Sequence, residues 1–524
     1  MDVAYPVEFE KEATAVNTLP IREKLGYAMG DAAANLVWRG ALAYLAVFYT
    51  DTVGLAASAT ALLFLIVRLS DGVTDIIMGM IADRTTTRWG RFRPWILFST
   101  PFLALFMVLC FSTPRLGPTG NLVYAYVTYI GLILAYTANN VPYSALMGVM
   151  TENDRERTSL SGFRFAGAFL GGLLVMGFLP SLVAYFGQGD SAKGYQNSMM
   201  LFAALLMVFM LITVFSTKER IVPVAQNSRG HALRDLLRQL PYILLPLTAI
   251  SAFIYYRNVY TALILGLICL MGYGYVRKWL HTPSSELSKT KQDVVDLITN
   301  KPWLILLAMG FLTMMFNGIK YGVVAYYFKY LVGDAVLAGE YFIALLVVSV
   351  FGALCTRYLA DRFGRRGLFV LSLVMSSVLT CGFYWVPADN LAAVFVLGCA
   401  AEWFAAMMPT LFFSMLGDAA DYSEWKNGRR ATGLVYSAGT FVQKAGSGFA
   451  GALVLMVLAY YGYNGLDPAS VAQAKPGMIL LMSFIPAIFG FLGAGLMMLY
   501  PISEQQQIRM TEELITRRRQ NVAL

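Results

Sequence analysis

Apolar stretches of about 20 residues, each long enough to cross a bilayer as a helix, recur along this chain from Tyr27 to Tyr500. Of its 524 residues 58% are hydrophobic and 14% charged, and a soluble domain carries close to twice that charged fraction. The expected class is an all-α polytopic membrane protein.

The net charge of +9 is distributed as membrane topology requires. Arg84, Arg88, Arg91 and Arg93 share one loop; Arg357, Arg362, Arg365 and Arg366 share another; Lys426, Arg429 and Arg430 lie in a third. Loops on the opposite side, at 50–58 and 387–390, contain no lysine or arginine. This is the positive-inside pattern. It puts both termini in the cytoplasm and accounts for the basic surplus without a nucleic-acid partner. Residues 1–24 mix acids and bases without an apolar run, so no cleaved signal peptide is expected. All five cysteines fall in apolar stretches, which implies no disulfide framework. His231 and His281 fall in polar central segments, leaving no histidine relay or histidine metal site in the membrane.

The spans read near 25–50, 57–81, 94–113, 121–148, 161–185 and 197–216, then near 302–328, 340–356, 367–386, 391–416, 431–461 and 476–500. Six plus six is the count of the major facilitator fold, whose halves are parallel repeats. An internal echo agrees: Ala82-Asp83-Arg84 follows the second span, and Ala360-Asp361-Arg362 follows the eighth. The expected organisation is a cytoplasmic N-terminus (1–24), a six-helix bundle (25–217), a linker (218–300), a second bundle (301–500) and a cytoplasmic tail (501–524), read as solvated. Within the linker, 240–276 contains two apolar runs broken by Arg257-Asn258 and reads as an inserted transmembrane hairpin, giving about 14 membrane helices.

Asp71 and Asp75 lie four residues apart inside the second span and project from one helix face. At roughly 6 Å and an effective dielectric near 20, two carboxylates repel by about 3 kcal/mol. An ionisable group at membrane depth marks an ion or substrate path by default, and this pair demands a proton, a metal cation or an arginine. Arg68, three residues before Asp71, offers the competing reading of a buried ion pair.

Several runs together resemble the glycoside–pentoside–hexuronide:cation symporters, a melibiose permease-like family of the major facilitator superfamily. They are Phe48 to Leu55, Leu65 to Asp75, Arg88 to Trp95, Tyr136 to Tyr143, Asp418 to Lys426 and Tyr436 to Lys444. The resemblance spans both bundles and implies cation-coupled transport by alternating access. It implies a cation between Asp71 and Asp75 with Thr137, and Asn140 where a further aspartate stands in the family. It also aligns Asn35 and Asn140 with sugar-binding aspartates and Ser144 with a stacking aromatic, so a galactoside preference does not carry over. The Asp-Arg loops of Asp83, Arg84, Asp361 and Arg362, with Asp418, Asp421 and Arg429, are expected to form the cytoplasmic gate.

Arg39 lies one helical turn from Asn35, and Arg164, Lys320 and Lys444 add further cations. Counted with Arg68 against Asp71, Asp75 and Glu402, they leave a surplus of two positive charges in the interior. Unpaired buried cations are costly, so the expected substrate is an anionic hexuronide or uronic-acid oligosaccharide. It would be held by Asn35, Arg39, Tyr136, Asn140, Ser144, Arg164, Lys320, Glu402 and Lys444, with Trp38, Tyr143 and Tyr321 as further stacking candidates. Alternatively Lys320 and Arg164 snorkel to headgroups and the glycoside is neutral. Glu402 has three candidate partners: Lys320, Lys444 or a substrate hydroxyl. Na+ and H+ both remain as coupling ion, with no cofactor, a bacterial inner-membrane location and action as a monomer. A lysolipid or amphiphile carrier on the same scaffold and a non-transporting sensor are the rival functions. No nucleophile–histidine pair or phosphate loop suggests an enzyme.

Overall fold

The computed structural model describes residues 19–220 and 295–516, except 86, 115, 152, 153, 429–431, 504, 508, 511 and 515. The expected hairpin at 240–276, Arg429 and most of 1–24 lie outside the described residues. The described chain is almost wholly helical. Its first six helical segments are α1 (Ile21–Gly40, continued by π-helical turns Ala41–Leu45 and Phe48–Thr52), α2 (Ala57–Arg84), α3 (Arg93–Cys110), α4 (Gly117–Met150), α5 (Asp154–Gly172, continued by a π-turn Leu173–Gly177 and Phe178–Gly187) and α6 (Ser191–Ser216). The next six are α7 (Lys301–Tyr327, with a π-turn Phe328–Val332), α8 (Leu337–Phe363), α9 (Arg365–Gly382), α10 (Leu391–Ala405 and Met407–Asn427), α11 (Thr432–Tyr460) and α12 (Pro468–Met482 and Phe484–Met498). Ten of the described helices are long and apolar enough to cross a membrane. Large apolar side chains such as Phe98, Phe102, Phe165, Phe215 and Leu354 stand exposed on them. Such surfaces are abnormal in water and ordinary against lipid.

The chain divides into two compact units. One holds the described residues up to Leu55 and from Ser70 to Arg220; the other holds Ala56–Leu69 and the described residues from 295 on. The same packing scheme recurs in each. In the first, α1 packs on α5 and α6, α3 on α4, and α3 on α6; in the second, α7 packs on α11 and α12, α9 on α10, and α9 on α12. This repetition is the internal repeat that the Asp-Arg echo suggested.

Local chemistry explains the boundaries. Asp190, Asn300, Asn390 and Asp467 cap α6, α7, α10 and α12, each side chain accepting from a backbone N–H of the first turn. The breaks in α10 and α12, at Ala406 and Ser483, each fall three residues before a proline, Pro409 and Pro486. Proline has no N–H for the carbonyl four residues back, so the ladder opens there.

The α1–α5 seam depends on absent side chains. A Cβ on Gly167 or Gly171 would lie 2.0 or 2.1 Å from the backbone oxygen of Ala28 or Ala32. Small residues four apart let the two backbones touch, as membrane helices favour. Further along, Tyr44 in a π-turn of α1 donates to the Met176 carbonyl in the π-turn of α5 at 2.6 Å.

A tripeptide after α6 ties four elements of the first unit. Glu219 accepts from the backbone N–H groups of Arg91, Phe92 and Arg93 at 2.7, 2.9 and 3.0 Å, capping α3. Arg220 pairs with buried Glu23 of α1 through two contacts of 2.7 Å, and its N–H donates to the Val149 carbonyl of α4. Hydrogen bonding to Glu23 raises the Arg220 pKa above its ordinary value.

Replacing Gly171 with leucine is expected to abolish a monodisperse folded protein. Gly162→Ala, on an exposed position of α5 where a Cβ meets nothing, is expected to stabilise by about 0.5–1 kcal/mol. Size-exclusion profiles and melting curves of the purified variants check both.

Candidate functional site

In the first unit α2 and α4 bring the expected cation ligands together. The Thr137 hydroxyl oxygen lies 3.1 Å from Asp71 Oδ1 and 3.1 Å from Asp75 Oδ1. Asp71 and Thr137 are buried and Asp75 is half-buried. A hydroxyl has one hydrogen, so it donates to one carboxylate at a time. Toward the other it presents a lone pair, a repulsive contact unless a proton or a cation lies between. The triangle therefore has the chemistry of a site for one small positive charge.

Asn140, one turn beyond Thr137, donates from Nδ2 to the Tyr136 hydroxyl at 3.0 Å. Its Oδ1 is buried and accepts no hydrogen bond among the described residues. A buried amide oxygen in that state suits a cation or a donor from a ligand. The neighbouring Asn139 is a structural anchor, its Nδ2 lying 3.0–3.1 Å from Ile96 O, Ser99 Oγ and Thr100 Oγ1 and pinning α4 to α3. Between Asn140 and Ser144, Pro142 leaves the Ala138 carbonyl without its helical donor.

The other expected groups of the first unit form a second cluster on α1, α4 and α5. Arg39 Nε donates to Asn35 Oδ1 at 3.3 Å, and Asn35 Nδ2 donates to the Asp31 carbonyl at 2.9 Å. Arg164 Nη2 donates to Ser144 Oγ at 3.3 Å, and Arg164 Nε lies 3.5 Å from Asp31 Oδ1. The Trp38 and Tyr136 rings stack at 5.6 Å. Tyr143, a stacking candidate by sequence, is instead fully buried against Tyr27, their rings 4.7 Å apart and each hydroxyl donating to the other's backbone carbonyl.

Asp31 is the charged member of this cluster that the sequence reading passed over. It stands one turn before Asn35 and two before Arg39, and that i, i+4, i+8 spacing was the available signal. Its presence corrects the charge count, because the interior surplus falls from two to one and Arg164 has a carboxylate partner.

The second unit holds its own buried pair. Lys320 Nζ of α7 lies 3.4 Å from Glu402 Oε2 of α10, both side chains 5% exposed. Glu402 Oε1 accepts from the Tyr321 hydroxyl at 2.8 Å and the Ser349 hydroxyl at 2.9 Å. Lys320 therefore does not snorkel, and of the candidate partners of Glu402 it is Lys320 that meets it. Lys444 is half-buried on α11.

At the loops expected to form a cytoplasmic gate, the contacts fall beside the residues expected. Asp83 and Arg84 end α2, their side chains outside the described residues. Asp361 and Arg362 are exposed at the end of α8. Asp418 instead meets Arg365, at 3.0 Å through Oδ2, and accepts from Gln507 at 3.1 Å. Asp421 lies half-buried one turn away. The tail is not simply solvated: Met510 and Leu514, four apart, are buried, and Glu513 accepts from the Trp425 indole of α10 at 2.7 Å.

A two-unit helical bundle with paired charges at membrane depth and a carboxylate–hydroxyl triangle on facing helices defines a multi-pass membrane transporter. The chain belongs to the MFS/sugar transport protein family, whose pattern matches residues 26–245 and 231–504, and this family membership agrees with the resemblance to the glycoside–pentoside–hexuronide:cation symporters. It is a transporter, not an enzyme. It is similar to the putative glycoside/cation symporter YagG of Escherichia coli (strain K12), 30% identical over 95% of this chain and 96% of that protein. It is similar also to the isoprimeverose transporter of Lactiplantibacillus pentosus, 29% identical over 97% and 94%. Among solved structures, the D-xylose–proton symporter shares the fold, with a TM-score of 0.58 at 14% identity over 93% of this chain and 98% of that one.

Breaking the Lys320–Glu402 pair one side at a time should be costly. Lys320→Met or Glu402→Gln is expected to destabilise by about 3–5 kcal/mol, and the double variant to recover most of it, because each single change strands or unbalances a buried charge. Denaturation midpoints of the four proteins in detergent check this.

Proposed function

We propose that the protein is a cation-coupled symporter that imports a glycoside by alternating access, working as a monomer in a bacterial inner membrane with both termini in the cytoplasm. The observation that carries the reading is the Thr137 hydroxyl set equally close to Asp71 and Asp75. Repulsion within that triangle is relieved by a proton or by Na+, and Asn140 Oδ1 supplies a further neutral oxygen on the same helix face. Cation and glycoside are coupled through α4, which carries Thr137 of the triangle and Ser144 of the Arg164 cluster; by linkage each favours the other equally. Similarity to a protein named as a glycoside/cation symporter supports both halves of the proposal.

The glycoside is read as neutral, its hydroxyls exchanging hydrogen bonds with Asn35, Asn140, Ser144 and Arg164 and its ring meeting the Trp38–Tyr136 stack. The charge argument for an anionic substrate weakens once Asp31 is counted and Arg164 faces it. A hexuronide remains the second reading because of Arg39. Its guanidinium has an amide at 3.3 Å and the Phe169 ring at 5.9 Å as its assigned neighbours, which leaves it able to take a carboxylate.

Asp75→Asn is expected to abolish accumulation of a glycoside against its gradient in proteoliposomes while sparing exchange. Accumulation at the unaltered level would overturn the coupling role. Thermal-shift curves with neutral glycosides, uronides and lysolipids, each with and without Na+, are expected to show stabilisation by a glycoside. Stabilisation by lysolipid alone would favour the amphiphile carrier instead.

A further inference from the structure

We propose that Asp31 is a specificity-determining residue that bars carboxylated glycosides from the cluster around Arg164; the inference rests on the reading of that cluster as the glycoside site. Arg164 on its own would invite a carboxylate, since a guanidinium presents paired N–H groups that fit one. Here its Nε points at Asp31 Oδ1 from 3.5 Å, a single contact longer than a close pair, while Nη2 reaches Ser144 at 3.3 Å. Asp31 is 10% exposed and Arg164 27%, so the acid is the more deeply buried of the two and the guanidinium keeps part of its surface open.

The consequences follow from charge and geometry. The open N–H groups still donate to the hydroxyls of a neutral sugar. A substrate carboxylate, however, would gain the attraction of Arg164 only against the repulsion of Asp31 across a few ångströms of low-dielectric surroundings. Discrimination of this kind comes from a built-in repulsive element as much as from an attractive one. The remaining neighbours do not change the balance. The Tyr27–Tyr143 stack is neutral, its hydroxyls committed to backbone carbonyls, and the Tyr143 ring lies 5.6 Å from the Arg164 guanidinium. Arg39, two turns along α1 from Asp31, is the second cation of the cluster; its attraction for a carboxylate is common to the unaltered protein and the Asp31 variants, so it sets a baseline and not the change between them.

The test uses the purified full chain and two probes that differ only in a hydroxymethyl or a carboxylate: 4-nitrophenyl β-D-glucoside and 4-nitrophenyl β-D-glucuronide. The unaltered protein is expected to bind the glucoside in preference. Asp31→Asn is expected to shift the affinity ratio toward the glucuronide by about tenfold or more, and Asp31→Glu to retain the original preference. The double variant Asp31→Asn/Arg164→Gln, which removes both charges and leaves neither stranded, is expected to lose the gain. It also keeps the question answerable if Asp31→Asn does not fold: a double variant that binds the glucuronide better than the unaltered protein does would overturn the dependence on Arg164. An unchanged ratio in folded Asp31→Asn, or a preference for the glucuronide in the unaltered protein, overturns the role of Asp31. Binding of neither probe by the unaltered protein overturns the glycoside reading itself.

Discussion

Hydrocarbon offers a charge no partner, and the interior of this protein is arranged around that fact. Asp31 with Arg164, Lys320 with Glu402, and Asp71 with Asp75 and Thr137 each find their answer inside one compact unit, across helices distant in sequence. Two of these groups close with both signs present. The third joins two acids through one hydroxyl, and on it the proposed cation coupling rests.

The helices that hold these groups are shaped by smaller rules. Capping acids and amides start α6, α7, α10 and α12, and prolines open α10 and α12. Glycines at 167 and 171 allow α1 and α5 to touch. The repetition of one packing scheme in both units means that each rule acts on a half that could be described without the other.

Much of this was legible in the sequence. The hydropathy pattern found every described segment, but one end of α5, α6, α8, α10 and α12 lies six to eleven residues beyond the expected span, because a helix runs on past its apolar stretch and hydropathy marks only that stretch. Asp71 and Asp75 were legible because an i, i+4 pair of acids in an apolar run is conspicuous, and Thr137 entered only through the family resemblance. Asp31 was not, for the opposite reason: it lies toward the more polar start of α1, where Glu23 and Lys24 make one more acid unremarkable. The choice of Lys320 over Lys444 as the partner of Glu402 depends on how α7, α10 and α11 are rotated, which one-dimensional spacing does not state. The docking of Met510 and Leu514 was missed because a run of arginines drew the reading of the tail toward solvent.

Asn139 and Asn140 are chemically identical neighbours with different partners, one pinned to α3 through its Nδ2 and the other bonded to the Tyr136 hydroxyl of its own helix. Because successive residues of a helix differ by about 100° in direction, adding or deleting a single residue upstream in α4 would exchange their places. The amide that pins α4 to α3 would then leave that wall, so the register of α4 and its hold on α3 are one property.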